Sequence, residues 1–250
     1  IIWFKEGRGI LVKTKNEKCG ERLLDTLFFC LQPIIKSDEE KVINEYEVLL
    51  RRTKDQKFPK DEFAYLTQND KKNEQLMTWS CRKIQAFLEV NPQCTLWINL
   101  NHHQLSFKST YVFLESLRKF KKNIKIEITE QIPESASNET GETIKRISKI
   151  KEMGYEIALD DVGMGMNTLA FVLANTNHIK RLKLSIVSFK TLSMESLVLL
   201  IKFWKLVANE AKVELVIEGI DSEKMRTMVH QAGVKMQQGF LWKSQFIFLY

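Results

Sequence analysis

From Cys94 onward the chain repeats one theme: a short β-branched or aliphatic run, a polar residue at its end, then a longer helical pattern. Residues 95–99 precede helix-like sequence up to about Phe120, and residues 124–129 lead through an acidic loop to a helical stretch at 142–153. Residues 157–161 precede 168–175, and residues 181–184 precede the long pattern 194–211. Residues 213–218 precede 222–231, and residues 234–239 close the series. Near-continuous apolar strands that alternate with helices predict a parallel sheet covered on both faces. Upstream, residues 27–35 and 43–50 supply two more strand candidates, followed by charge-rich sequence and a helical stretch at 72–90. Eight strands in about 220 residues fit an α/β, single-domain, TIM-like (β/α)8 barrel, whose chemistry sits at its C-terminal face. An open doubly wound sheet is the alternative, but Gly7-Arg-Gly9 is neither a dinucleotide fingerprint nor a P-loop. The barrel is expected over residues 21–250, with residues 1–20 as an extension or linker.

Composition narrows the class. A chain of 250 residues with 44% hydrophobic content can bury a full core. No apolar stretch approaches the roughly 20 residues of a membrane-spanning helix. The chain does not begin with Met, so a signal peptide or another upstream domain stays open. Cys19, Cys30, Cys81 and Cys94 form no C-x-x-C pair, which argues against a zinc ribbon or disulfide scaffold and fits reduced, cytosolic thiols. The net charge of +7 includes clusters at 118–122 and 180–183, an excess that could attract nucleic acid, an anionic membrane surface or a small anionic ligand. The first cluster reads better as a solvated helix end. His102 and His103 are adjacent and point in different directions, so they read as loop or helix-start residues rather than ligands.

The strand ends carry the chemical signal. They are Glu47, Asn99, Glu127, the Asp160–Asp161 pair, Lys183, Glu218 and Gln238. Taken singly, Asn99 reads as a helix cap, Lys183 as a snorkelling surface lysine and Gln238 as a loop residue. Together on one rim, five carboxylates repel strongly unless metal ions sit among them.

These residues give the chain its resemblance to the EAL domain family, the cyclic di-GMP phosphodiesterases. Glu47-Val-Leu-Leu-Arg51 resembles the motif that names the family, with Val48 for alanine, and Gln32-Pro33 precedes it. Asn99 stands in the N-L motif, Glu127-Ile-Thr-Glu130 matches E-x-T-E, and Asp160-Asp161-Val-Gly163 matches D-D-F-G. Lys183, Glu218-Gly219 and Gln238-Gly239-Phe240 follow in the K-x-D, E-G-V-E and Q-G-Y positions. The resemblance implies that Glu47, Asn99, Glu127 and Asp160 ligate one divalent ion. Asp160 would bridge to a second ion, shared with Asp161 and Glu218. Lys183, Gln238 and Glu130 are the implied catalytic group, and Gln32, Arg51 and Asp221 the implied substrate contacts. The implied cofactors are two divalent cations, Mg2+ or Mn2+, and the implied reaction is hydrolysis of cyclic di-GMP to linear pGpG. A homodimer through the barrel, an upstream regulatory domain, a cytosol-facing location and no direct DNA binding are further expectations.

The chain also departs from the pattern. The K-x-D motif reads Lys183-Leu-Ser185, which removes a carboxylate beside the second ion, and E-G-V-E reads Glu218-Gly-Ile-Asp221. The usual D-D-F-G-T-G-Y-S-S loop reads Asp160-Asp-Val-Gly-Met-Gly-Met-Asn-Thr168, with Met164 and Met166 at the Thr and Tyr positions. The usual proline after Q-G-Y is missing, so the final covering helix is expected to be short or missing. These changes weaken the second-ion site and supply an alternative, a catalytically weak cyclic di-GMP receptor or an interaction module, but the retained ligand positions favour catalysis.

Overall fold

The structure, a computed structural model, describes residues 22–37, 42–130 and 140–250. The segment 1–20 and the acidic loop expected after the fourth strand lie outside the described residues. Eight strands close into a barrel: β1 (Leu27–Lys36), β2 (Val42–Arg52), β3 (Thr95–Leu100), β4 (Ile124–Ile128), β5 (Ile157–Leu159), β6 (Arg181–Ser185), β7 (Glu214–Glu218) and β8 (Met236–Gln238). A short β9 (Ile247–Leu249) adds to β1 outside the ring. Around the barrel lie α1 (Lys60–Leu66), α2 (Asp70–Val90), α3 (Lys108–Ser116), α4 (Thr140–Glu152), α5 (Leu169–Asn175), α6 (Met194–Ala211) and α7 (Glu223–Gln231).

The barrel is mixed where a wholly parallel one was expected. Strands β2 to β8 run parallel, but β1 pairs antiparallel with both β2 and β8. The reason is chain length. Only residues 37–41 separate β1 from β2, and a parallel connection needs a crossover of roughly a dozen residues or more. The first two strands therefore form a hairpin, and closure comes from the far end of β1, where Ile35 and Lys36 face Gln237 and Met236. Among the described residues β8 is followed by the 3-10 segment Phe240–Gln245, which leads into β9.

Strand alternation sorts the residues into two cores. One face of β3 (Leu96, Ile98, Leu100), β4 (Ile124, Ile126, Ile128) and β6 (Leu182, Leu184) packs outward against the helices in the main hydrophobic cluster. The other face fills the barrel, where Ile34, Trp97, Ala158 and Val216 form a separate apolar plug with Met236 against it. One pleat higher on the same strands stand Asn99, Asp160, Glu218 and Gln238, at the ends of β3, β5, β7 and β8. The plug is thus the floor on which the polar layer rests.

Away from this layer a buried arginine is held between two glutamates. Arg181, 1% exposed, pairs with Glu45 at 2.8 Å and with Glu214 at 2.6 Å, and its guanidinium lies 4.3 Å from the Trp97 ring centre. Burial tends to raise the Glu45 pKa, but Arg181 outweighs it and holds the carboxyl below its usual value. The cluster at 180–183 is therefore no surface patch: Arg181 and Lys183 point into the barrel, and only the flanking positions face out. Among the described residues no helix is long and apolar enough to cross a membrane.

Candidate active site

The C-terminal ends of the parallel strands meet in one polar layer, as the barrel reading requires. Glu47 lies mid-strand rather than at a strand end, because β2 runs on to Arg52 in its hairpin with β1; Glu127 lies on β4, Lys183 on β6, Glu218 closes β7 and Gln238 closes β8. Lys183 has no exposed surface and sits among the acids. Its Nζ donates to Glu47 Oε2 at 2.8 Å and to Glu127 Oε1, pairs with Glu218 Oε1, and lies 4.0 Å from Asp160 Oδ1. Glu47 is held from further sides: Asn99 Nδ2 donates to Oε1 at 2.7 Å and Gln238 Nε2 to Oε2 at 2.6 Å. The Gln238 amide also reaches Gln32 Oε1 at 3.1 Å, which brings that predicted residue to the rim.

Strand β5 stops at Leu159, and the two aspartates make the turn. Asp161 adopts a left-handed conformation (φ 46°), a region where aspartate is among the few tolerated side chains. The loop then folds back over β4, where the Met166 N–H donates to the Glu130 carbonyl at 3.1 Å. Gly165 is required there, because a Cβ would lie 2.2 Å from that carbonyl oxygen and its φ is +47°. This close approach brings the carboxylates of Glu130, Asp160 and Asp161 within 4.8 Å of one another, and Glu47, Glu127 and Glu218 form a second group of the same span. The carboxylates expected to ligate the ions thus gather on one rim, and Glu130, expected in the catalytic group, stands beside the aspartate pair.

Electrostatics shows how crowded this rim is. Burial raises the Asp160 pKa to about 7, the Asp161 pKa to about 6 and the Glu218 pKa to about 8. Lys183 opposes each of these shifts, and neighbouring carboxylates add to them. Glu127 goes up for the same reason, burial first and the Glu47 charge second. Only Glu47 is held below its usual value: burial works against it, but Lys183, Asn99 and Gln238 together outweigh that. Burial also disfavours the Lys183 charge, yet the surrounding carboxylates push its pKa well above the ordinary lysine range. One ammonium does not neutralise five acids.

The unpaired atoms identify what the layer lacks. Asn99 Oδ1, Glu127 Oε2, Asp161 Oδ1 and Gln238 Oε1 are buried without a hydrogen-bond partner. All four are oxygens, the donor type that hard divalent cations take. The residues present therefore fit a divalent metal. Beside them a cavity of about 280 Å³ opens, bordered on its polar side by Glu47, Asn99, Asn101, Glu130 and Asp160. Arg51 and Phe58 border it too, and Phe63, Met77 and Phe113 close its apolar side. The Arg51 guanidinium donates to the Leu50 carbonyl at 2.9 Å.

Some of this was not anticipated from sequence. Asn101 lines the cavity because it follows Asn99 by two residues and shares its face, a signal the alternation does carry. The apolar wall gave no such signal, since its phenylalanines read as ordinary core. Asp221 lies exposed beyond β7, outside both groups of clustered carboxylates. His102 is buried and meets Phe171 edge-on, and His103 meets Phe107 edge-on, so neither belongs to the acid cluster. Ser185 faces Glu218 across the β6–β7 ladder, and Met164 is exposed on the loop.

Comparison with known proteins follows the same outline. The chain is 28% identical over 224 residues to the probable cyclic di-GMP phosphodiesterase PdeB of Escherichia coli, covering 84% of this chain and 41% of that protein. It is 27% identical over 167 residues to the cyclic di-GMP phosphodiesterase PdeA of Borreliella burgdorferi, covering 64% of this chain and 24% of that protein. The chain thus spans less than half the length of either relative. A manganese and cyclic di-GMP complex of Klebsiella pneumoniae BlrP1 superposes with a TM-score of 0.66 at 20% identity, over 86% of this chain and 55% of that one. The EAL domain model matches residues 21–245, nearly the whole chain, so this protein belongs to the EAL domain family.

Proposed function

We propose that this chain hydrolyses cyclic di-GMP to linear pGpG at the barrel mouth, with two divalent cations, Mg2+ or Mn2+, as cofactors. The observation that carries the reading is the convergence of five carboxylates around one buried lysine, with unpaired buried oxygens left over. The names of the two relatives and the manganese complex of the solved structure support it.

Glu47, Asn99, Glu127 and Asp160 are the proposed ligands of one cation, and Asp160, Asp161 and Glu218 those of the other. When bound, such cations acidify a water and stabilise charge on the phosphate and the leaving oxygen. The chain's own residues do the rest. Lys183 Nζ and the Gln238 amide converge on Glu47 Oε2, and their proposed role is to hold the attacking water beside that carboxylate. The Lys183 ammonium also stands where negative charge accumulates as the phosphodiester is attacked. Arg51, on the cavity wall, supplies a cation for a substrate phosphate, and Gln32 and Asp221, which do not line that cavity, are the other proposed substrate contacts. Glu130 supports the aspartate pair from just past the end of β4, and the apolar wall of the cavity excludes water.

A second reading is a weak or silent receptor that binds cyclic di-GMP at the same mouth. Ser185 favours it, because that strand end faces Glu218 without the carboxylate of the K-x-D pattern. A homodimer, an upstream regulatory domain and a cytosol-facing location belong to either reading. Incubation of the purified protein with cyclic di-GMP and either metal separates the two: pGpG supports the enzyme. Binding without pGpG under both metals leaves the receptor, and no binding at all removes both.

A further inference from the structure

We propose that Asn167 is a positioning residue: its buried amide fixes the backbone of Asp160 and so aims that carboxylate at the cation site. The inference rests on the cation reading of the site given above. Asn167 belongs to the loop after the aspartate pair, yet it has no exposed surface. Its Nδ2 donates to the Asp160 carbonyl at 2.5 Å and to the Ile128 carbonyl at 3.1 Å. The Asp160 N–H donates to the same Ile128 carbonyl at 2.9 Å. Asp160 is thereby gripped on both of its backbone polar groups at the point where β5 stops.

The loop is closed at its other end by the same residue, whose carbonyl accepts the Gly163 N–H at 2.7 Å. Next to it Thr168 caps α5 by accepting the Phe171 N–H, and Phe171 meets the buried His102 edge-on at 5.7 Å between ring centres. The amide is therefore anchored to the strand ends, and its own backbone to a helix start. The chemistry of the side chain matters. A carboxamide nitrogen carries two donors, enough for two carbonyls at once, whereas a hydroxyl carries one. The sequence has Asn where the loop pattern of the family reads Ser. The extra donor stiffens the Asp160 turn in a chain whose next strand lacks an acid at Ser185.

The test is the affinity of the metal-free protein for Mn2+, read by titration calorimetry with no nucleotide present. Asn167→Ala is expected to weaken Mn2+ binding roughly tenfold or more, as loss of an outer-shell partner does. Asn167→Ser, which keeps one donor, is expected to lose less and serves if the alanine variant does not fold. Thr168→Ala loosens the same loop by removing the α5 cap, and it should lower the melting temperature while keeping Mn2+ affinity within about twofold. Wild-type affinity in both Asn167 variants overturns the inference, as does an equal loss in Thr168→Ala. No Mn2+ uptake by the wild type overturns both the inference and the cation reading. Mn2+ uptake with the expected Asn167 loss, but no pGpG formed by the wild type, upholds the inference and removes the enzyme reading alone.

Discussion

An ammonium with no contact with water is retained only where fixed negative charge compensates its desolvation, and Lys183 is such a group. The converse holds for its partners, since Glu47 and Glu127 have little or no exposed surface of their own. Lys183→Met keeps much of the volume but leaves that carboxylate cluster without its counter-charge. The metal-free variant is expected to lose about 3–5 kcal/mol, the cost of an unpaired buried charge, and to regain much of it on adding Mn2+. Thermal melts with and without metal measure this, and a variant that melts like wild type removes Lys183 as the counter-charge. Glu47→Ala, at the opposite pole, should lower pGpG formation by roughly 10²-fold or more, and unchanged turnover would refute its place in the site. At Asp161 the left-handed backbone separates two roles. Asp161→Asn keeps the conformation and should lose activity at near-wild-type stability. Asp161→Ala should lose activity and also about 1 kcal/mol, because alanine tolerates that region poorly.

The strand β6 shows how much an element's pattern conveys and where it stops. Arg181, Lys183 and Ser185 alternate onto the inner face, and Leu182 and Leu184 onto the outer, so period-two reading places Lys183 inside the barrel. The same pattern cannot tell a buried ion pair from a surface basic cluster, because the compensating acids come from β2, β4 and β7, far away in sequence. The parallel strands and the longest helices were legible from their own periodicity, and a cap marks the start of some; Ser193 caps α6, and α6 spans the predicted residues. The antiparallel start was hidden only in a linker length. Helix α1 and strand β9 were too short for their periodicity to stand out, and the apolar cavity wall resembles any other core. Ser185 yields this scale's prediction. It faces Glu218 across the ladder, so Ser185→Asp adds a carboxylate beside the proposed second cation. Metal-dependent turnover is expected to rise several-fold, with half-maximal activity at lower Mn2+. A fall in both would mean that the chain's site is built around the serine.

At the scale of the whole molecule, the acidic layer makes stability, pH and metal one linked quantity. In the metal-free barrel Asp160, Asp161 and Glu218 titrate near about 7, 6 and 8, raised first by burial and then by neighbouring charge. Unfolding returns them to the ordinary carboxylate range near 4. Between those limits the folded state holds protons that the unfolded chain has released, so these groups make the fold less stable as pH rises from about 4 to about 8. Above that window their contribution is flat, and below it they favour neither state. A divalent cation reverses the sign. Bound to the ionised carboxylates as proposed, it would displace their protons, so its affinity is expected to rise through the same window, by up to about tenfold per pH unit for each proton displaced. Melting temperatures of the metal-free protein should therefore fall from pH 5 to pH 8, while the increment produced by a fixed Mg2+ concentration grows. Proton release, measured as the dependence of the binding heat on buffer ionisation enthalpy, should accompany Mg2+ uptake at pH 6.5. A metal increment independent of pH, with no proton released, would show that the cation binds elsewhere than on these strand ends.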